Sequence, residues 1–257
     1  MDIELGNDHG GQVRTIVLNR PAKKNALTVA MYATMADELA RAGASAEIRA
    51  VVLRGAGGVF TAGNDILDFV SEPSVSDDSH VVRFLKAIVA FPKPILASVD
   101  GAAIGVGTTM LLHCDFVAAT ASSRFQLPFV KLGLCPEGGS SLLVPRMAGL
   151  QRASELLLWG EPFDAATARE VGFVNEIAPD GAALAASIAS RIERLLQLPP
   201  DAVAAAKELV RAPLRAELAE TMKREALLFK ERLGSAEAAE AFSAFMEKRT
   251  PRFGKSA

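Results

Sequence analysis

Short runs rich in β-branched residues alternate with segments of helical periodicity as far as Ile177, and from Ala182 onward only helical periodicity remains. That order predicts an α/β core followed by a helical region. The boundary is expected near residue 195, which divides the chain into 1–194 and 195–257. Strands are expected over residues 13–18, 50–53, 95–99, 116–119 and 173–177, with a shorter one at Val59-Phe60. A helix opens at Thr28, a suitable N-cap, and repeats Met31, Met35 and Leu39 on one face before Gly43. Val82, Leu85 and Val89 share another helical face, on which Lys86 is the polar exception, and Phe91-Pro-Lys-Pro94 ends it. Residues 155–159 close a helix before Gly160. Asp164 caps a short helix over 165–171 that stops at Gly172. The helices of the C-terminal part read as 182–198, 201–212, 214–233 and 235–249, separated by Pro199-Pro200, Pro213 and Gly234. The polar segment 71–79 is expected to be mobile.

The most informative stretch is 98–141. A strand ends at Asp100-Gly101, and Gly105-Val106-Gly107 then opens an apolar helical run to Leu112. A helix start offers free N–H groups and a positive dipole end, and flanking glycines let a ligand approach the backbone. The same residues could also form a plain strand-to-helix turn. They lack the third glycine and the distant acid of a dinucleotide fingerprint. Further on, Glu137 lies alone between Pro136 and Gly138-Gly139, in an otherwise apolar region. It is either a solvated turn residue or a base held near apolar walls. Hydrogen-bond donors aimed at an oxygen, with one carboxylate nearby, suit proton abstraction beside a carbonyl.

Other chemistries find less support. There is no Gly-x-Ser-x-Gly elbow. Of the 3 His, His9 and His80 lie in polar segments, and His113 ends an apolar helix as a structural partner. The 2 Cys, Cys114 and Cys135, provide neither a disulfide framework nor metal spacing, and Cys135 reads as an inert thiol. A net charge of −2 favours neither nucleic acid nor an anionic membrane. No apolar run is long enough to span a bilayer. The acidic start Met1-Asp-Ile-Glu-Leu5 carries no signal peptide and Gly254-Lys-Ser-Ala257 no peroxisomal address, so a cytoplasmic location is expected.

Phe60-Thr-Ala-Gly-Asn-Asp-Ile66, followed by Gly101-Ala-Ala-Ile-Gly-Val-Gly107, resembles the crotonase (enoyl-CoA hydratase/isomerase) superfamily. The resemblance runs from Asn19–Leu27 to Ala244–Arg249. It implies an α/β spiral of strand-strand-helix turns with a C-terminal helical trimerisation region, hence homotrimers or homohexamers. It also implies an acyl-CoA substrate with no metal and no separate cofactor. The backbone N–H groups of Asn64 and Val106 correspond to the family's oxyanion hole. Ala62, Gly63, Asn64, Asp65 and Ile66 correspond to the segment lining coenzyme A. Lys23 and Lys24 fall in the loop near its phosphates, and Phe245 and Lys248 match C-terminal positions that touch it from a neighbouring subunit. Thr109 and Phe129 stand where hydratases carry their two glutamates, which disfavours direct hydration. Leu132–Ser141 resembles the Pro-Glu-Gly-x-Ser-Ser motif of the peroxisomal-type Δ3,Δ2-enoyl-CoA isomerases, with Glu137 as sole base and Gly139 where some members are bulkier. The activity this implies is conversion of 3-enoyl-CoA to 2-trans-enoyl-CoA. A hydratase-like lyase and a non-catalytic acyl-CoA-binding protein are the alternatives.

Overall fold

The computed structural model describes residues 1–71 and 79–254. Residues 72–78, most of the segment expected to be mobile, lie outside them. The large sheet has six strands in the order β1-β2-β3-β4-β6-β9. These are β1 (Ile3–Asp8), β2 (Val13–Leu18), β3 (Ala50–Gly55), β4 (Ile95–Val99), β6 (Phe116–Thr120) and β9 (Glu176–Ala178). Only β1 runs antiparallel to its neighbour. A second sheet, β5-β7-β8, is built from β5 (Ala102–Ile104), β7 (Arg124–Gln126) and β8 (Phe163–Asp164). Thr61 bridges to Ala103 at its edge. Successive passes of the chain therefore lay β3, β4 and β6 side by side in one sheet, and Thr61, β5 and β7 side by side in the other.

The parallel strands are covered on both faces, which is why they read as continuous apolar runs. Packed on one face are α1 (Val29–Ala44) and α3 (His80–Ala90). Thr28 caps the first, accepting from the Met31 N–H at 3.3 Å, and Met31, Tyr32, Met35 and Leu39 face the core. Leu184, Ile188 and Ile192 of α8 (Gly181–Leu196) cover the other face, against Val52, Leu96 and Ala118. The remaining helices are α2 (Ile66–Ser71), α4 (Val106–Thr109), α5 (Ser140–Ala148), α6 (Leu150–Ser154), α7 (Ala165–Glu170), α9 (Pro200–Leu233) and α10 (Ala236–Met246). Among the described residues no helix is long and apolar enough to cross a membrane.

Several expectations need correction. Pro213 does not divide two helices, because α9 runs through it for 34 residues. Proline removes one helical N–H, but Pro213 is exposed, so water can take the freed carbonyl. Side chains also anchor the helix on the near side of Pro213. Lys207 Nζ donates to Lys93 O and Asp115 Oδ2, both at 2.7 Å, and Arg211 donates to Leu112 O and Cys114 O. Beyond it, Leu218, Thr221, Glu225 and Phe229 are buried. Val59-Phe60 forms no strand, since only Thr61 pairs, through one bridge. The last strand is confined to Glu176–Ala178, while Phe173 and Val174 are buried ahead of it. The helix opened by Gly105 lasts a single turn, after which Met110–His113 tightens into a 3-10 turn. Strand β1 is not among the strands expected from the sequence, and only Ile3 of its six residues is buried.

Candidate active site

Three backbone segments meet at one cavity. The first is Ala62–Asn64. Its Gly63 has φ +86°, and a Cβ there would lie 2.8 Å from Ile104 O, so this segment packs directly on the end of β5. Leu27 N–H donates to Gly63 O at 2.8 Å and Asp65 N–H to Leu27 O at 2.9 Å, which turns the intervening Asn64 N–H to the other side. The Tyr32 hydroxyl, fully buried, donates to Asn64 Oδ1 at 2.5 Å and holds that side chain.

The second is the turn into α4. Gly105 adopts φ +57°, ψ −120°, open only to glycine. Its N–H donates to Gln126 O and its carbonyl accepts from Thr108 and Thr109 N–H. Val106 is the first residue of the helix, where an N–H has no intrahelical partner. Among the described residues neither Val106 N–H nor Asn64 N–H meets an acceptor.

The third is the loop that carries Glu137. Gly138 and Gly139 both have positive φ, at +66° and +79°. The left-handed φ of Gly139 favours glycine there, and a Cβ would also lie 2.3 Å from Leu218 Cδ1, which would have to move. The loop is tied from three sides. Ser140 Oγ donates to Glu137 O at 2.7 Å. Gly138 O faces His113 Nε2 at 2.7 Å. Burial lowers the pKa of His113 to about 4, so at neutral pH the ring is uncharged and Nε2 is the donor. Glu225 of α9 accepts Gly139 N–H at 2.6 Å, Ser141 N–H at 2.9 Å and Ser141 Oγ at 2.5 Å. With its Oε1 and Oε2 both engaged, Glu225 acts as an N-terminal cap for α5.

The Glu137 side chain points into the cavity, and Thr109 Oγ1 donates to its Oε1. Its pKa is raised to about 7. Burial is the main cause and the charge of Glu225 adds to it, while the Thr109 hydrogen bond opposes both. The cavity has a volume of about 920 Å³. Its walls are mainly apolar: Val82, Leu85 and Val89 from α3, and Met222, Ala226 and Phe229 from α9.

Of the residues singled out from sequence, Ala62, Gly63, Asn64, Ile66, Val106, Phe129, Glu137 and Phe245 line this cavity. Lys23, Lys24, Asp65 and Lys248 are not among its walls. Lys23 and Lys24 sit on an exposed turn, Asp65 pairs with Arg20 at 3.1 Å, and Lys248 occupies a left-handed turn after α10. His113 has the structural role expected of it. Cys135 is half-buried, and its pKa is pushed up to about 11, chiefly by burial, which keeps the thiol inert. Three site residues were missed: Tyr32, Glu225 and the Thr109 hydroxyl as a partner of Glu137. The 218/221/225/229 spacing of α9 puts Glu225 on an otherwise mostly apolar stripe, a signal that could have found it.

The enoyl-CoA hydratase/isomerase family profile matches residues 8–256. Rat enoyl-CoA delta isomerase 2 is 33% identical over 245 residues, or 93% of this chain, which spans 62% of that protein's length. The 2,3-dehydroadipyl-CoA hydratase of Escherichia coli is also 33% identical over 245 residues, covering 94% of this chain and 95% of the hydratase. The structure of Pseudomonas aeruginosa OdaA superposes with a TM-score of 0.93 at 44% identity, covering 95% of this chain and 98% of that one.

Proposed function

The chain belongs to the enoyl-CoA hydratase/isomerase family, and from that premise we propose that it shifts the double bond of 3-enoyl-CoA thioesters to give 2-trans-enoyl-CoA. The carrying observation is the setting of Glu137. It is a carboxylate of near-neutral pKa on an apolar cavity wall, and its hydrogen-bond partner is a hydroxyl. By the resemblance, hydratases carry two glutamates that position and activate water, yet those two positions are Thr109 and Phe129 here. Among the described residues the other carboxylate on the wall is Glu225, and both its oxygens are engaged by the backbone and side chain of residues 139–141.

In this mechanism Glu137 removes a C2 proton from the thioester. Negative charge then develops on the thioester oxygen, where the Asn64 and Val106 N–H groups stabilise it. Glu137 returns the proton at C4, and the double bond becomes conjugated. The chain's similarity to the E. coli hydratase supports a second reading, hydration to a 3-hydroxyacyl thioester. A panel of cis and trans 3-enoyl-CoA thioesters, followed by absorbance of the conjugated product, separates the two. Isomerisation of 3-hexenoyl-CoA is expected to be well above hydration of crotonyl-CoA, and the reverse order overturns the assignment. Binding of both thioesters without turnover would leave an acyl-CoA-binding protein.

The proposed assembly is a homotrimer or a pair of trimers. Leu209, Val210, Leu227 and Leu228 of α9 and Phe245 and Met246 of α10 are exposed, more apolar surface than isolated helices usually leave open. Light scattering at micromolar concentration is expected to give three or six times the chain mass, and a stable monomer refutes this.

A further inference from the structure

Thr109 is fully buried, and its hydroxyl is the only side-chain group that hydrogen-bonds the Glu137 carboxylate among the described residues. The grip is one-sided. Oγ1 donates to Oε1, while Oε2 has no hydrogen-bond partner among the described residues. Among the described residues the only sealed side-chain nitrogen or oxygen atoms without a partner are Arg14 Nε and Arg191 Nε, so Glu137 Oε2 is open to the cavity. Thr109 is itself held by its N–H, which donates to Gly105 O at 3.0 Å. Gly138 packs against its side chain, so that a Cβ there would lie 3.2 Å from Oγ1. The hydroxyl therefore has little freedom to follow a moving carboxylate. Its other acceptor within reach is Val106 O, at 3.4 Å.

We propose that Thr109 is the positioning residue of the base: by holding Oε1 it presents Oε2 as the single oxygen that takes the proton at C2 and gives it back at C4. This rests on the isomerase reading above. The proton leaves carbon for Oε2 and returns from Oε2 to carbon, and the Thr109 proton never leaves Oγ1. A carboxylate fixed at one oxygen does not swing its acquired proton toward solvent, so the proton passes internally between the two carbons. Without the hydroxyl, the carboxylate turns more freely and the acquired proton exchanges with water. The hydrogen bond also favours the ionised form and so offsets part of the effect of burial. The charge that bears on this ionisation is that of Glu225 of α9, and the Glu137 carboxylate in turn raises the proton affinity of Tyr32 of α1 and of Cys135 of the same loop. Lys86 of α3 and Lys223 of α9 line the same cavity.

Thr109→Val and Thr109→Ala test this beside Thr109→Ser. Both hydroxyl-free variants are expected to lose about tenfold in kcat, the usual effect of a hydrogen bond to a charged group, with little change in KM. Their pH–rate midpoint moves upward, and less deuterium placed at C2 is recovered at C4. Thr109→Ser restores all three. A wild-type midpoint and label transfer in Thr109→Val, or a Thr109→Ser as impaired as Thr109→Val, overturns the proposal. Carbon-13 NMR of labelled glutamate, with the Glu137 signal assigned through Glu137→Gln, reads the titration without any turnover. If the wild type fails to isomerise any 3-enoyl-CoA, the functional reading falls. The Glu137 midpoint must still rise in Thr109→Val and return in Thr109→Ser, or the assignment of Thr109 falls too.

Discussion

Glu137→Gln is expected to lower kcat by at least about a hundredfold, the usual loss for a general base, while KM and product binding stay near wild-type values. Glutamine is almost isosteric, so Thr109 can still donate to the side-chain oxygen and the Pro136–Gly139 turn keeps its ties to His113 and Glu225. What is lost is a group able to carry the C2 proton. Wild-type turnover should rise with pH through about 7, where Glu137 ionises, and the residual activity of the variant should lack that rise. Stability should respond in the opposite sense. A glutamate desolvated on a cavity wall, with its folded-state pKa above the ordinary 4.5, contributes stability that is fully present below 4.5 and lost as pH rises through about 7. Glu137→Gln escapes that loss, so at pH 8 it should melt no lower than wild type. Steady-state kinetics, calorimetric binding of a product thioester and thermal melts at pH 5 and pH 8 together check this. Retained turnover would place the base elsewhere. Lost binding, or a variant that melts earlier at pH 8, would mean that Glu137 serves the structure instead.

The second large effect concerns a backbone atom. Val106→Pro should reduce kcat by roughly a hundred- to a thousandfold, the range for removing one donor from an oxyanion site. Val106→Ala should keep most activity. The contrast is interpretable because Val106 is the first residue of α4, where proline's fixed φ suits the helix start and its missing N–H breaks no helical bond. The Val106 N–H has no acceptor within the described protein either, so the folded state has no hydrogen bond to lose there. The Val106 side chain is buried, and truncation to alanine leaves a small void of modest cost. Circular dichroism confirms the fold of both variants before kinetics are compared. Equal losses in proline and alanine variants would show that the side chain matters, and the N–H of Val106 would drop out of the mechanism.

Much of this molecule was legible one residue at a time. The strands over residues 13–18, 50–53, 95–99 and 116–119 announce themselves by β-branched apolar runs, because a parallel strand covered on both faces needs nothing else. Thr28 and Asp164 cap the helices they were expected to cap. The glycines at 63 and 105 and the lone Glu137 marked the three segments of the cavity, since a backbone that must turn left-handed or lie against another chain segment leaves few alternatives to glycine. Tertiary structure decided the rest. Whether Pro213 breaks a helix depends on what Lys207 and Arg211 find to bind on the core, at Asp115 nearly a hundred residues earlier. The pairings of Thr109 with Glu137, Tyr32 with Asn64 and Glu225 with residues 139–141 join positions far apart in the chain and carry no local pattern. The proton affinity of Glu137 belongs to none of the residues around it singly. It is set by how much water the assembled cavity excludes and by which charges and donors are brought near, and those exist only once the chain has closed.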